Sequence, residues 1–283
     1  MNKSPVVIFP YKKRGNLKKI FELINQYNPP TVYIVFDQAA NQGIKKLQKE
    51  IGSFIEKFEF SSKKVIIRPP SNKGVTKVYD FGLDFVFEKE EQVIILEDDT
   101  IPTLHFFDYC DVMLKKFKHD ESVGCINGCN LEASMLFSGY FFSTMCMPYW
   151  GWATWRDRWS RLPKDYSFWV SYRSVYPKEK NDLLNQFAAI FDRSVLDDKA
   201  WDIRWTMFLL STSMKAVLPG GNLVTNVGFT DEATFTNISD SKFSSLQVVE
   251  DWKDRKIAGT EIVKEEEYLL KIKQLMNDIA KRI

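Results

Sequence analysis

Short unbroken apolar runs alternate along the first hundred residues with longer stretches whose apolar positions recur every three or four residues. Val6-Val7-Ile8-Phe9, Val32-Tyr33-Ile34-Val35, Val65-Ile66-Ile67 and Val93-Ile94-Ile95-Leu96 are runs of the first kind. Unbroken β-branched and Leu runs mark strands buried on both faces, as in a parallel sheet. The stretches between them carry helical spacing. Leu17, Ile20, Phe21, Leu23 and Ile24 line one helix, which Pro29-Pro30 ends. Ile44, Leu47, Ile51 and Ile55 line a second, from about Asn41 to Phe58. Val75, Val78, Tyr79, Gly82, Leu83 and Val86 line a third, opened by Asn72-Lys73-Gly74, and Gly82 is expected to bring that helix close to the sheet. Two βαβ passes within the first 70 residues predict a doubly wound α/β sheet with right-handed crossovers.

The pattern continues less regularly. A helix from about Thr103 buries Phe106, Cys110, Met113, Leu114 and Phe117, and Val123 to Asn130 reads as a strand and a glycine-bearing turn. Four tryptophans, Trp150, Trp152, Trp155 and Trp159, then fall within ten residues. Residues 160 to 200 read as an excursion with helices, one from Leu183 to Phe191. A helix beginning around Asp197 sets Trp201, Trp205, Phe208 and Leu209 on its buried side and leaves Asp202 and Arg204 off that stripe. Ala216 to Phe229 reads as a strand, a turn and an extended stretch. Past Asn237 the texture turns polar, which divides the chain into a domain at 1–238 and a helical extension at 239–283. Helices are expected at Glu250 to Ile257 and Thr260 to Ile283. The second has an apolar stripe (Ile262, Leu269, Ile272, Leu275, Met276, Ile279) that suits packing on the domain or on a second copy of the chain, ahead of a membrane surface.

Composition narrows the classes. The formal net charge of +2 gives no signature of a nucleic-acid binder. The four cysteines and two histidines lack zinc spacing, and the cysteines read as reduced core thiols of a cytoplasmic protein. The N-terminal Met-Asn-Lys-Ser-Pro has no apolar segment of signal-peptide type, and no apolar run reaches bilayer length. Peripheral contact with the inner face of a membrane stays open.

The chemistry is concentrated where Val93-Ile94-Ile95-Leu96 runs into Glu97-Asp98-Asp99. Three adjacent carboxylates at a strand end repel one another unless water or a cation intervenes, and ligands of open α/β sheets bind at strand carboxyl ends. A hard cation, Mg²⁺ or Mn²⁺, takes one or two carboxylates and completes its shell with water and substrate phosphate. That pattern points to a nucleoside diphosphate. Asp37 at the end of the second strand could accept a hydrogen bond from a base. Tyr11, Arg14, Asn72 and Lys73, in loops after other strands, could hold base, ribose or phosphate. Part of the tryptophan cluster, Trp150, Trp152 and Trp155, could line a cleft for a hydroxyl-rich acceptor, the alternative being a core. Gly-x-Gly-x-x-Gly and P-loop motifs are absent.

Ile95-Leu96-Glu97-Asp98-Asp99-Thr100-Ile101-Pro102, followed by Phe106-Phe107-Asp108-Tyr109, resembles the motif of GT-A glycosyltransferases, the Rossmann-like nucleotide-diphospho-sugar transferases. The branch it is most similar to is that of N-acetylglucosaminyltransferase I and related bacterial sugar transferases. Trp150 to Trp155, Trp201-Asp202 and Asn222 to Phe229 match further stretches of those relatives, over about residues 5 to 237. The resemblance implies a mixed, mostly parallel central sheet flanked by helices. It implies a metal-dependent transferase of polysaccharide biosynthesis that moves a sugar from a nucleoside diphosphate, most economically UDP, to a hydroxyl of a glycan or lipid-linked glycan. On matching positions Asp99 would bind the metal, Asp98 would sit toward ribose or metal waters, Glu97 would face the donor sugar, and Asp202 would be the base of an inverting reaction, with Asp198 as fallback. Relatives often have a His where Phe235 stands, which leaves water, Asp231 or Glu232 to replace it. Two other readings stay in view: a non-catalytic nucleotide-sugar or glycan binding module, and a nucleotidyltransferase, against which the missing glycine-rich phosphate loop argues.

Overall fold

The computed structural model describes residues 2–12, 14–131, 139–176, 185, 187–188, 191–192, 195, 200–228, 246–249, 252 and 265–280. The chain opens as expected: β1 (Val6–Phe9), α1 (Arg14–Tyr27), β2 (Thr31–Val35), α2 (Gln42–Lys57), β3 (Lys63–Ile67), α3 (Gly74–Phe87) and β4 (Gln92–Glu97). β5 (Thr100–Pro102), α4 (Leu104–Lys116), β6 (Val123–Asn127), β7 (Tyr140–Ser143), β8 (Trp152–Trp155), α5 (Arg156–Trp159) and α6 (Ser167–Val175) follow. α7 (Trp201–Ser211), β9 (Lys215–Pro219), β10 (Val224–Asn226) and α8 (Glu265–Ala280) complete the described elements.

Eight strands form one mixed sheet in the order β3-β2-β1-β4-β8-β6-β9-β7. Strands β3, β2, β1 and β4 are mutually parallel; β8 is antiparallel to both β4 and β6, β9 is parallel to β6, and β7 closes the far edge antiparallel to β9. The sheet is therefore mostly parallel, and the carboxyl ends of β1, β2 and β4 share one rim. β5 leaves that sheet and pairs antiparallel with β10, so a two-stranded ribbon stands directly after the acidic turn.

Local chemistry sets the boundaries. Asn41 caps α2 through its side-chain oxygen and Ile44 N, 3.2 Å apart, and Thr103 caps α4 in the same way at 3.3 Å. At the other end of α2, Lys64 Nζ donates to the carbonyls of Ile55, Glu56 and Phe58 at 2.7–3.1 Å, a cation on the negative end of the helix dipole. Helix α3 lies close to the sheet at Gly82, as its sequence predicts. A Cβ there would stand 2.7 Å from both methyls of Val35 and 3.0 Å from the Phe9 ring. Alanine gains up to about 1 kcal/mol of helix propensity, but overpacking a dense interior typically costs about 1–3 kcal/mol. Gly82→Ala is therefore expected to lower the urea midpoint at unchanged slope; a raised midpoint would show that the helix can retreat freely.

One stretch that the sequence leaves without an element acquires one here, and one expectation is corrected. The tryptophan-rich stretch supplies an interior strand, β8, inserted between β4 and β6. Arg204 does not lie off the buried side of its helix: it is 1% exposed and paired with Asp80 of α3. The helix is apolar or buried nearly all round, so its amphipathic spacing is a poor guide. Arg158 is likewise buried, paired with Asp157, its guanidinium over Trp155 and donating to the carbonyls of Phe117, Lys118 and Asp120 just past α4. In α8, Tyr268, Ile272 and Leu275 belong to the common core, and the Tyr268 hydroxyl donates to Met147 O at 2.9 Å. All of the helix expected at Glu250 to Ile257 except the buried Trp252, most of the one expected at Leu183 to Phe191, and Asp198, Asp231, Glu232 and Phe235 lie outside the described residues.

Candidate active site

Strand β4 is fully buried from Val93 to Leu96 and delivers Glu97 to the rim, opposite Phe9 of β1. Asp98 and Asp99 form the turn into β5. The three acids face different partners. Asp98, 7% exposed, accepts the backbone N–H groups of Tyr11 and Lys12 on Oδ2, each at 2.7 Å. Asn16 Nδ2 donates to Asp98 O at 3.3 Å. The loop after β1 is thus stitched to the acidic turn by charge-assisted hydrogen bonds. Tyr11 carries Lys12 Nζ 4.7 Å from its ring centre. Arg14 opens α1; its side chain is outside the described residues.

Glu97 is held by rings. The Tyr79 hydroxyl and the Trp201 indole N–H, the latter at 3.3 Å, both donate to its Oε1. Those two rings stack at 4.1 Å within a column that runs Phe9, Tyr79, Trp201, Trp152. Trp201 begins α7, so the column brings the first turn of that helix, with Asp202, to the end of β4. Burial, then the charge of Asp99, push the Glu97 carboxyl up to about 8; the Tyr79 hydrogen bond opposes this, and Asp202 and Asp98 add to it. Burial also raises Asp202 above the ordinary carboxylate range, against the backbone N–H of Ile203 at 3.0 Å. Glu97 therefore feels three other carboxylates, one of them, Asp202, about a hundred residues further along the chain.

Asp99 sits half-buried beneath the ribbon. Its carbonyl accepts Val227 N at 2.8 Å, and the Cβ position that Gly228 leaves empty lies 2.4 Å from its Oδ2. Among the described residues, no group of three or more His, Cys, Asp and Glu side chains is placed to hold a metal ion.

Asp37, Asn72 and Lys73 are brought together. Asp37, 8% exposed, accepts Gln38 N at 2.8 Å, Lys73 N at 3.0 Å, Gly74 N at 3.0 Å and Asn72 Nδ2 at 3.0 Å. It fastens the loop after β2 to the start of α3, while Asn72 stays exposed.

The tryptophans expected to meet an acceptor do not reach this rim as open surfaces. Trp150, Trp152 and Trp155 are 7%, 1% and 2% exposed. Trp152 is taken by Trp201 and Tyr149, and Trp155 donates to Leu114 O and carries Arg158. Their acceptor role is corrected to a core role. The sequence reading passed over Tyr79, Asn226 and Gly228. Tyr79 was counted as one more apolar position of α3, and only its hydroxyl facing a carboxylate on the next strand distinguishes it.

A nucleotide-type α/β sheet with an acid-rich rim after β4 and a second acid brought in from α7 defines the class: a nucleotide-sugar transferase of GT-A type. Within it, this chain belongs to the GNT-I family, whose model matches residues 1–177.

Solved structures show only distant likeness. HddC from Yersinia pseudotuberculosis complexed with GMP-PN is 12% identical, the match covering 54% of this chain and 77% of that one at a TM-score of 0.35. UDP-glucose pyrophosphorylase complexed with UDP-glucose is 10% identical over 77% of this chain and 90% of its own, with a TM-score of 0.36. 4-Diphosphocytidyl-2C-methyl-D-erythritol synthase from Anaerococcus prevotii DSM 20548 is 11% identical over 68% and 85%, with a TM-score of 0.37. No curated protein matches the chain. Among the described residues no helix is long and apolar enough to cross a membrane.

Proposed function

We propose that this chain is a metal-dependent glycosyltransferase that moves a sugar from UDP to a hydroxyl of a glycan or glycolipid with inversion, Asp202 acting as base. The observation that carries the reading is the meeting of Glu97 and the Asp202 helix through the Trp201–Glu97 hydrogen bond, 104 residues apart in sequence. A donor-sugar carboxylate and a base from another element then flank one rim. Asp202 would take the proton from the acceptor hydroxyl as that oxygen attacks the anomeric carbon. Its raised pKa makes it a stronger base than a solvated carboxylate. Glu97, with Oε1 fixed by two donors, would offer its other oxygen to a sugar hydroxyl. Asp98 would keep the Tyr11–Lys12 loop beside the diphosphate, and Asn72 and Lys73, on the loop that Asp37 organises, would hold the nucleoside.

Mg²⁺ or Mn²⁺ fits Asp99. One carboxylate suffices when water and phosphate complete the shell, and the crowding that raises Glu97 is the repulsion a cation offsets. When bound, the ion would neutralise charge growing on the leaving diphosphate. We also propose the division into a transferase domain at 1–238 and an extension at 239–283, cytoplasmic placement with peripheral membrane contact, and self-association through the face of the C-terminal helix that the core leaves open, where Leu270 is exposed. Calorimetric titration with UDP and UDP-sugars, with and without Mn²⁺, tests the central reading. Metal-dependent UDP binding is expected; no binding of any nucleoside diphosphate in the presence of Mn²⁺ overturns it.

A further inference from the structure

We propose that Asn226 supplies the second protein oxygen for the cation held by Asp99, with Gly228 as the residue whose missing side chain lets the two meet. The inference rests on the metal reading of Asp99 and adds a ligand to it. Its starting point is the space at Gly228. A Cβ built there would lie 2.4 Å from Asp99 Oδ2 and 2.9 Å from Asn226 Oδ1. Two oxygens at those distances from one point can be no farther apart than the two distances added. Both oxygens therefore border one small space, and a side-chain adjustment that brings each to about 2.0–2.1 Å from a common point would let them share Mg²⁺ or its oxygen-preferring analogue Mn²⁺.

The amide is oriented for this. Gly228 N donates to Asn226 Oδ1 at 2.6 Å, which identifies the end of the amide facing the glycine as the oxygen. A carbonyl oxygen has two lone pairs, and the N–H uses one. Asn226 is 7% exposed and stands at the end of β10, paired in register with Thr100, the residue after Asp99. The neighbouring Val227 N–H binds the Asp99 carbonyl at 2.8 Å. Backbone pairing on both sides therefore fixes the distance between the two side chains before any ion arrives, which is preorganisation by the ribbon rather than by the ligands. A neutral amide also suits this rim, where a further carboxylate would add to the repulsion already acting on Glu97.

The test uses the full chain, with Mn²⁺ as probe, in the presence and absence of UDP. Free Mn²⁺ is read by electron paramagnetic resonance and folding by thermal midpoint. Asn226→Ala is expected to weaken Mn²⁺ binding at least tenfold, with a metal-free midpoint lowered only by the hydrogen bond that Gly228 N loses. Wild-type Mn²⁺ affinity in folded Asn226→Ala overturns the proposal. If that variant does not fold, Asn226→Asp decides, because it keeps the acceptor for Gly228 N and adds a charge. Tighter Mn²⁺ binding supports a ligand role; equal or weaker binding overturns it. Asp99→Asn separates the two levels. Loss of Mn²⁺ binding in Asp99→Asn with none in Asn226→Ala removes only the Asn226 ligand. A wild-type chain that binds no Mn²⁺ with or without UDP removes the metal reading itself.

Discussion

Asp202→Asn is expected to lower the rate of sugar transfer by about 10²–10⁴, the usual contribution of a positioned general base, while leaving UDP-sugar affinity near that of the wild type. The amide keeps the shape of the carboxylate and the position at the start of α7, so the ring column that holds Glu97 is undisturbed. The pH dependence supplies a second readout. A base works only when deprotonated, so kcat/KM should rise with pH through the Asp202 pKa, which burial displaces upward from the ordinary carboxylate value. In the Asn variant that ascending limb disappears. Stability should move the other way. A carboxyl whose folded pKa is raised favours the fold below its unfolded pKa and loses that contribution as pH rises through the folded value. At neutral pH the charged form is a cost, and the neutral amide relieves it. A variant that is slower yet at least as stable is the trade expected of a strained site. Transfer within tenfold of wild type would remove Asp202 from the base role.

The second large effect is expected at Asp99. Asp99→Ala should weaken the Mn²⁺-dependent part of UDP binding by about 100-fold or more, since even outer-shell partners of metal ligands cost about 10–100-fold. UDP binding without metal should hardly change. Loss of fold is not the expected route. The Asp99 charge is the second-largest cause of the raised Glu97 carboxyl, so its removal relieves repulsion, and the metal-free thermal midpoint should hold or rise. Titration with and without Mn²⁺, alongside a melting curve, checks both. Unchanged metal dependence would show that the ion is held elsewhere.

Much of this was legible in the chain, for identifiable reasons. From β1 to β3 each strand is followed by its own helix, so burial is decided locally, and the apolar runs state which residues are inside. The acidic turn was legible because three adjacent charges have no place in a core. The tryptophans of β8 were not. Whether an aromatic ring is core or cleft depends on what covers it, and Trp152 is covered by Trp201, from an element 49 residues further on. Arg158 and Arg204 were illegible for the same reason: the backbone carbonyls of residues 117–120 and Asp80 of α3 hold them, at sequence separations of 38–41 and 124 residues. Asn226 gives no sign in sequence of its nearness to Asp99; the pairing of two three-residue strands creates it.

The hydrogen bonds that build the rim have a kinetic side. Tyr11 to Asp98 spans 87 residues and Trp201 to Glu97 spans 104. Contacts of such long sequence separation close only after the loop entropy between them has been met, and they slow the folding of sheet proteins. Helix α2 or α4 can be largely formed while the rim is still open. During refolding, recovered helical signal should therefore run ahead of recovered nucleotide binding, and the order of the two clocks reports how late the site is assembled.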